Sequence, residues 1–354
     1  MKVVVLCGGL SSERDISLSS GTQICTALRK NGHRAVLVDL FLGLEDKGDE
    51  VLADPSVLFE DLPALDPIVF TGKEPDLNAV KNSRKWKDES LFGRGVLEIC
   101  KAADMVFMAL HGMNGEDGRV QAAFDMMGIR YTGSGYLGSA MSMDKMLTKE
   151  RLTPYGIPMP KWISLRNQTE EDIPAIEKTV REWLPCVVKT PTGGSSLGVF
   201  IVREEGQIKE AVKNCLSFGK DVLIEEFIEG KELTCGVLKG RALPSVEIIP
   251  KVRFYDYSNK YMAGATEEIC PGRIKPETEK TIGEIALKVQ EIMGLHTYSR
   301  SDFVVDQEEK VYFLEVNTLP GMTPTSLVPQ EAAAVGISFE ELCEIILQDG
   351  MTRD

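Results

Sequence analysis

Apolar residues fall in two rhythms along the first third of the chain. After its lysine, KVVVLC (2–7) is an unbroken apolar run of strand length, as expected of a strand buried on both faces. Past a short loop, GGLSS, the segment ISLSSGTQICTALRK spaces its apolar residues as a helix does and stops at Asn31-Gly32. AVLVDL predicts a second strand. Residues 41–95 keep no regular period, and KNSRKWKDES within them reads as a charged surface insertion. A third strand, DMVFMAL, precedes the loop HGMNGEDG, a helix through VQAAFDMMG and a short strand, IRYTG. Strands alternating with helices predict a parallel sheet whose ligands gather beyond the C-terminal ends of the strands.

From residue 134 the texture changes. SGYLGSAMSMDKMLTKERL predicts a helix, and the X-Pro steps of TPYGIPMPKWISL suit a hinge. A small α+β unit follows: helix 172–183, strand CVVKT, a Gly-rich loop, strand GVFIV, helix IKEAVKNCL and strand VLIEEFI. The last third is rich in strands, with ELTCGVL and ALPSVEII, and carries helices near 277–293 and 339–348. The second of these opens on a capping box, Ser338 to Glu341.

The segment RSDFVVDQEEKVYFLEVNTLPGMT (300–323) reads as two strands around the turn Gln307–Lys310. Side chains alternate along a strand, so Arg300 and Asp302 share a face, as do Glu315 and Asn317. Pairing Asp306 with Val311 sets Asp302 opposite Glu315 and Arg300 opposite Asn317, and assigns Phe303, Val305, Tyr312 and Leu314 to the core. Like charges placed directly opposite destabilise an antiparallel pair. Two carboxylates and an amide, without His or Cys, suit a hard cation, Mg2+ before Zn2+. The competing reading is a solvated sheet face on which Arg300 balances the acids.

Bulk properties narrow the field. A chain of 354 residues, 43% apolar and 27% charged, has room for two or three ordinary globular domains. A net charge of −14 argues against nucleic-acid backbones as partners, while a local basic site for one nucleotide is compatible with it. The eight cysteines are scattered without a C-x-x-C pair, the pattern of reduced thiols. MKVVVLCGGLSSERD meets charges too soon for a signal peptide, and no window approaches a membrane span. A soluble, cytoplasmic protein is expected.

Several loops carry candidate chemistry. VVKTPTGGSSLGVFIV sets a Gly-rich loop, preceded by Lys189, between two strands. Such a tip can close backbone N–H groups on phosphate oxygens, though it lacks Walker A spacing and an ordinary Gly/Ser turn fits equally. CGGLSSE suggests a dinucleotide loop, with Asp39 as ribose acid, but misses the third glycine of that fingerprint. Its Glu13 could meet an ammonium group or face solvent. FYDYSNKYMAGATEE (254–268) reads as a long lid, with Lys260 in reach of a phosphate and Tyr261 beside it. His111 directly follows an apolar strand and takes a supporting role, whereas His33 and His296 read as structural.

Five blocks together carry a resemblance. GGLSSERDISLSSG; LHGMNGEDG with YTGSG and MDK; VVKTPTGGSSLGV; YDYSNKY with TEEICP; and EVNTLPGMTPTSL occur in the order found in D-alanine–D-alanine ligases of the ATP-grasp superfamily. The chain resembles that family over nearly its whole length. The resemblance implies an α/β and α+β fold: a Rossmann-like parallel-sheet domain at 1–133, followed by a two-part ATP-grasp fold. The two parts are a small domain at 134–225 and a C-terminal domain at 226–354 with the metal and oxyanion site. It implies ATP-dependent joining of two D-alanines through an acyl-phosphate, supplying peptidoglycan precursors. The alternative is a D-alanine–D-serine ligase or another carboxylate–amine ligase of the superfamily. ATP and two Mg2+ ions, replaceable by Mn2+, are the implied cofactors, and a homodimer is the implied assembly.

The resemblance also implies roles. Glu13 would hold the first D-alanine's ammonium and order a network with Ser195 and Tyr261. Lys145, Lys189 and Lys260 would contact phosphates beneath a lid at 193–198. Glu225, Phe227 and Ile228 would frame the adenine, and Glu232 the ribose. Asp302, Glu315 and Asn317 would bind the metals, with Glu315 bridging. Arg300 and the Gly321 amide would stabilise the oxyanion, Ser326 and Leu327 would hold the second carboxylate, and His111 would support the substrate site. Two features stand out against the family pattern. KTPTGGSSLG differs from the commoner KP…GSS.G. Tyr261 stands where relatives that join D-lactate tend to carry Phe, which favours an amide-forming ligase. A nucleotide-binding dehydrogenase and a non-catalytic descendant are more distant readings.

Overall fold

Val3, Val4, Val5 and Leu6 are fully buried at the centre of the N-terminal sheet. The computed structural model describes residues 1–65, 75–193, 198–250 and 266–352. β1 (Lys2–Cys7) pairs in parallel with β2 (Arg34–Asp39) on one side and β3 (Met105–Met108) on the other. Helices Arg14–Lys30, Val96–Ala102 and Phe339–Met351 all send residues into this core, which is why β1 shows no polar alternation. The last of them comes from the far end of the chain and contributes Leu342, Cys343, Ile346 and Leu347. Lys30–Glu340 at 2.8 Å and His33–Glu344 at 2.7 Å tie it to the first helix and its turn.

Three local readings need correction. IRYTG is not a full strand; it contributes one parallel bridge, Val106 with Tyr131. KNSRKWKDES is not wholly surface, because Arg84 is 2% exposed, stacks 4.6 Å over Phe41 and donates to the carbonyls of Ser90 and Phe92. The helix expected through SGYLGSAMSMDKMLTKERL is two helices, Tyr136–Met143 and Lys145–Leu152. Asp144 breaks it by capping the second, accepting from the N–H groups of Met146 and Leu147.

The middle unit is an antiparallel sheet of β4 (Trp162–Leu165), β5 (Cys186–Lys189), β6 (Val199–Val202) and β7 (Val222–Glu226), in the order β4-β7-β5-β6. Helices Ile173–Glu182 and Glu205–Phe218 pack on it through Ile176, Val180, Val212 and Cys215. β5 and β6 pair as the hairpin expected around the Gly-rich loop, whose residues 194–197, including Ser195, lie outside the described residues.

The C-terminal sheet holds β8 (Gly230–Leu238), β9 (Arg241–Ala242), β10 (Val246–Pro250), β11 (Thr266–Ile269), β12 (Tyr298–Asp306) and β13 (Val311–Asn317). Its order is β11-β10-β8-β12-β13, with β9 beside β8, and helix Pro276–Met293 covers it. The end of the expected 254–268 lid is thus strand β11, while residues 251–265, with Lys260 and Tyr261, lie outside the described residues.

Register on the β12–β13 hairpin positions the site. Asp302 lies opposite Glu315 and Arg300 opposite Asn317, as expected. The turn end differs: Val305, not Asp306, pairs with Val311, and the register shifts by one between Asp302 and Phe303. Leu314 is the extra residue, a bulge on β13. The bulge hands the core to Phe303, Val305, Val311, Phe313 and Val316, in place of the expected Tyr312 and Leu314. Leu314 turns instead toward the cleft beside Glu315. A slip of one residue at the turn and a bulge of one residue cancel, so the polar face survives.

The returning helix is expected to matter for stability. Ile346→Ala should cost about 2–5 kcal/mol, the usual range for a large buried aliphatic truncated in a tight core. A lower urea midpoint is the measurement, and an unchanged midpoint would mean the helix does not brace the N-terminal sheet.

Candidate active site

The three sheets enclose a cleft of about 1840 Å3. Glu13 and His111 line it from the N-terminal unit, Lys189 and Phe200 from the middle sheet, and Arg300, Asp302, Glu315 and Asn317 from the β12–β13 hairpin. On that hairpin, Arg300 Nε donates to Asp302 Oδ1 at 2.8 Å and Nη2 to Oδ2 at 2.9 Å, a bidentate pair. Asn317 Nδ2 adds a third bond to Asp302 at 3.1 Å. Across the strand, Lys145 Nζ lies 3.1 Å from Glu315 Oε2 and donates to the Gly193 carbonyl at 3.0 Å. Each acid is therefore matched by a cation, which is how two carboxylates tolerate facing each other. Burial opposes the charge on Arg300, but Asp302, Glu315 and Glu331 outweigh it and hold the guanidinium charged.

As metal ligands these residues suit a hard cation. Asp302, Glu315 and Asn317 offer only oxygen from carboxylate and amide groups on one sheet face. No cluster of three or more His, Cys, Asp or Glu placed to hold a metal occurs among the described residues. Asp302 and Glu315 fall below that count, and Mg2+ commonly takes one or two carboxylates and completes its shell with phosphate and water.

On the middle sheet, Val187 of β5 pairs with Glu225 of β7, so Lys189 and Glu225 are diagonal neighbours on one face. Glu225 is almost wholly buried, with Lys189 Nζ 2.7 Å from Oε2 and Lys149 Nζ 2.9 Å from Oε1. Burial would raise its pKa, yet the two lysines hold it below the usual carboxylate value. Glu225, Phe227 and Ile228 are not among the residues lining the cleft, and the Phe227 ring sits under Arg203 at 4.4 Å. Glu232 does line it.

On the N-terminal side, Glu13 sits at the start of helix Arg14–Lys30, just past the C-terminal end of β1. Gly112, at φ +67°, lets the loop backbone lie against its carboxylate. His111 Nδ1 is 2.8 Å from the Leu319 carbonyl and must carry the proton there; Nε2, 3.0 Å from Ser20 Oγ, then accepts. Ser20 Oγ in turn accepts from the Met322 N–H at 3.3 Å. Burial lowers the pKa of His111, in keeping with this neutral tautomer. Ser326 Oγ accepts from the Thr323 N–H at 3.0 Å, and Gly321 packs beside it, where a Cβ would stand 3.0 Å from that oxygen.

Sequence reasoning missed Glu116. Its Oε1 accepts from the N–H groups of Thr318 and Leu319, at 3.1 and 2.9 Å, and its Oε2 from Gly112 at 2.9 Å. It clamps the His111 loop to the turn after β13. Burial and the nearby Glu13 push its carboxyl up to about 7. The signal was an acid in a Gly-rich loop five residues after His111, but only the long-range contact reveals its partners.

Residues 2–134 match the family model described as the D-ala D-ala ligase N-terminus, and residues 152–348 match that of the D-ala D-ala ligase C-terminus. The chain belongs to the D-alanine–D-alanine ligase family. A D-alanine–D-alanine ligase of Pediococcus pentosaceus is 39% identical over 351 residues, covering 98% of this chain and 97% of that one. Another, of Carboxydothermus hydrogenoformans, is 38% identical over 357 residues, covering 99% and 98%. Among solved structures, the Bacillus anthracis D-alanine–D-alanine ligase complexed with ATP aligns with a TM-score of 0.73 and 27% identity, covering 99% of this chain and 97% of that one. This member of the ligase family has the ATP-grasp fold, and its middle and C-terminal sheets both line the cleft. Among the described residues no helix is long and apolar enough to cross a membrane.

Glu116 gives a pH signature. Its carboxyl binds a proton more tightly folded than unfolded, so it weakens the fold as pH rises from its ordinary value near 4.5 to about 7. Glu116→Gln cannot titrate and should flatten that part of the stability profile, read by urea melts from pH 5 to pH 8 in steps of about half a unit.

Proposed function

We propose that this chain joins two D-alanines at the expense of ATP, through an acyl-phosphate, and supplies peptidoglycan precursor synthesis in the cytoplasm as a homodimer. One observation carries the reading: the Arg300–Asp302 and Lys145–Glu315 pairs, each acid matched by a cation, line the same cleft as Lys189 and Glu13. Asp302, Glu315 and Asn317 would hold two Mg2+ ions, with Mn2+ as a substitute, and the bound ions would neutralise the triphosphate.

The chain's own groups supply the rest. Lys145, Lys189 and Lys260 hold the phosphates, and Glu232 takes the ribose hydroxyls. For adenine, the frame of Glu225, Phe227 and Ile228 rests on the resemblance alone. Glu13 accepts the ammonium of the first D-alanine, with Ser195 and Tyr261 completing its network, and His111 braces that wall through Leu319 and Ser20. Ser326 and Leu327 meet the second carboxylate at a helix N-terminus, the end that favours negative charge. When the second amine attacks the acyl-phosphate, Arg300 and the Gly321 N–H face the developing oxyanion. An acyl-phosphate hydrolyses in open solvent, so the reaction needs a site that excludes water while the intermediate lasts.

Two experiments test this. Purified protein with ATP, Mg2+ and D-alanine should yield D-alanyl-D-alanine, ADP and phosphate by mass. The same mixture with D-serine or D-lactate added identifies the preferred acceptor, and no dipeptide in any mixture sinks the proposal. Arg300→Ala should lose on the order of 100-fold or more in turnover with circular dichroism unchanged; near-normal turnover would remove Arg300 from the oxyanion role.

A further inference from the structure

Lys149 is fully buried, and nothing in the reaction above uses it. It follows Lys145 by one turn on helix Lys145–Leu152, so both ammonium groups leave the same side of the helix. Lys145 reaches Glu315 and the Gly193 carbonyl; Lys149 reaches Glu225. Glu225 is shared, one oxygen against Lys149 at 2.9 Å and the other against Lys189 at 2.7 Å. Of the two lysines on Glu225, only Lys189 lines the cleft. Lys149 and Glu225 meet as a buried ion pair at 2.9 Å.

We propose that Lys149 is a positioning residue for nucleotide binding, the standing counter-ion of Glu225 that allows Lys189 to pass from Glu225 to a phosphate. The proposal rests on the reading of Lys189 as a phosphate contact. Lys189 is bound to the Glu225 carboxylate, and reaching another anion means leaving it. A buried carboxylate stripped of its only cation is strongly disfavoured. Among the described residues three lysines, Lys145, Lys149 and Lys189, pair with two carboxylates, Glu225 and Glu315. One ammonium can therefore depart without stripping either acid. Lys149 is walled in and cannot be the one to leave, so Lys189 is. Without Lys149, Glu225 would keep Lys189 for itself.

The test is a double-variant cycle on the full chain, with calorimetric binding of β,γ-imido-ATP and Mg2+ as the readout. Lys149→Met should weaken binding about 10-fold or more, as expected when the surviving pair is locked together. It should raise the KM for ATP in step and leave the KM for D-alanine within about 2-fold. In a Lys189→Ala background the same substitution should cost less than about 2-fold, because Lys149 acts through Lys189. Lys149→Gln keeps a hydrogen-bond donor without the charge; it should show the same loss and replaces the Met variant if that one does not fold. Wild-type affinity in the folded variant, even with a lowered melting temperature, would overturn the proposal. Equal losses in both backgrounds would overturn it too, and an unweakened Lys189→Ala would remove both it and the phosphate role beneath it. The binding readout needs no turnover, so it stands or falls apart from the dipeptide assay.

Discussion

Two carboxylates on neighbouring strands, Asp302 and Glu315, are held directly opposite each other, and the site is organised around neutralising them. The hairpin cannot separate them, because its register is locked by the apolar face beneath, where Phe303 and Phe313 meet at 5.9 Å. Each acid draws its cation from a different place. Asp302 takes Arg300 from its own strand, and Glu315 takes Lys145 from helix Lys145–Leu152. The same repulsion that costs stability therefore keeps a guanidinium and an ammonium ready at the cleft floor.

The cleft walls are joined by polar clamps at the same turn. Glu116 and His111, one loop apart, both bind backbone groups of the segment that follows β13. Behind them the helix Phe339–Met351 completes the core of the first sheet. These contacts tie the N-terminal and C-terminal parts together beside the cleft that Glu13, Arg300 and Ser326 line. The middle sheet contributes Lys189 and Phe200 to the same cleft.

Much of this architecture was legible in the chain. Buried strands announce themselves as unbroken apolar runs, and alternation sets the polar face of the hairpin; the expected turn pairing is off by one, and the bulge at Leu314 restores the opposition of Asp302 to Glu315. Other features were not. The bulge at Leu314 has no local signature, because the leucine is as apolar as the core residue expected in its place. Asp144 ends a helix by capping its successor, a choice that depends on how the two helices turn around each other. Nothing local to Glu225 shows that its partner is Lys149, 76 positions away in sequence and on another element.

The sequence by itself determined the kinds of groups available: an oxygen-only donor set, lysines flanking a Gly-rich hairpin, and an acid just past the first strand. Local sterics and periodicity decide these, and they act over a few residues. Only the tertiary structure decided which groups are matched to which, since Coulomb and hydrogen-bond partners are chosen by distance in space. Lys145 serves Glu315, Lys149 serves Glu225, and Glu116 serves the backbone of residues 318 and 319 because packed sheets bring distant segments within about 3 Å.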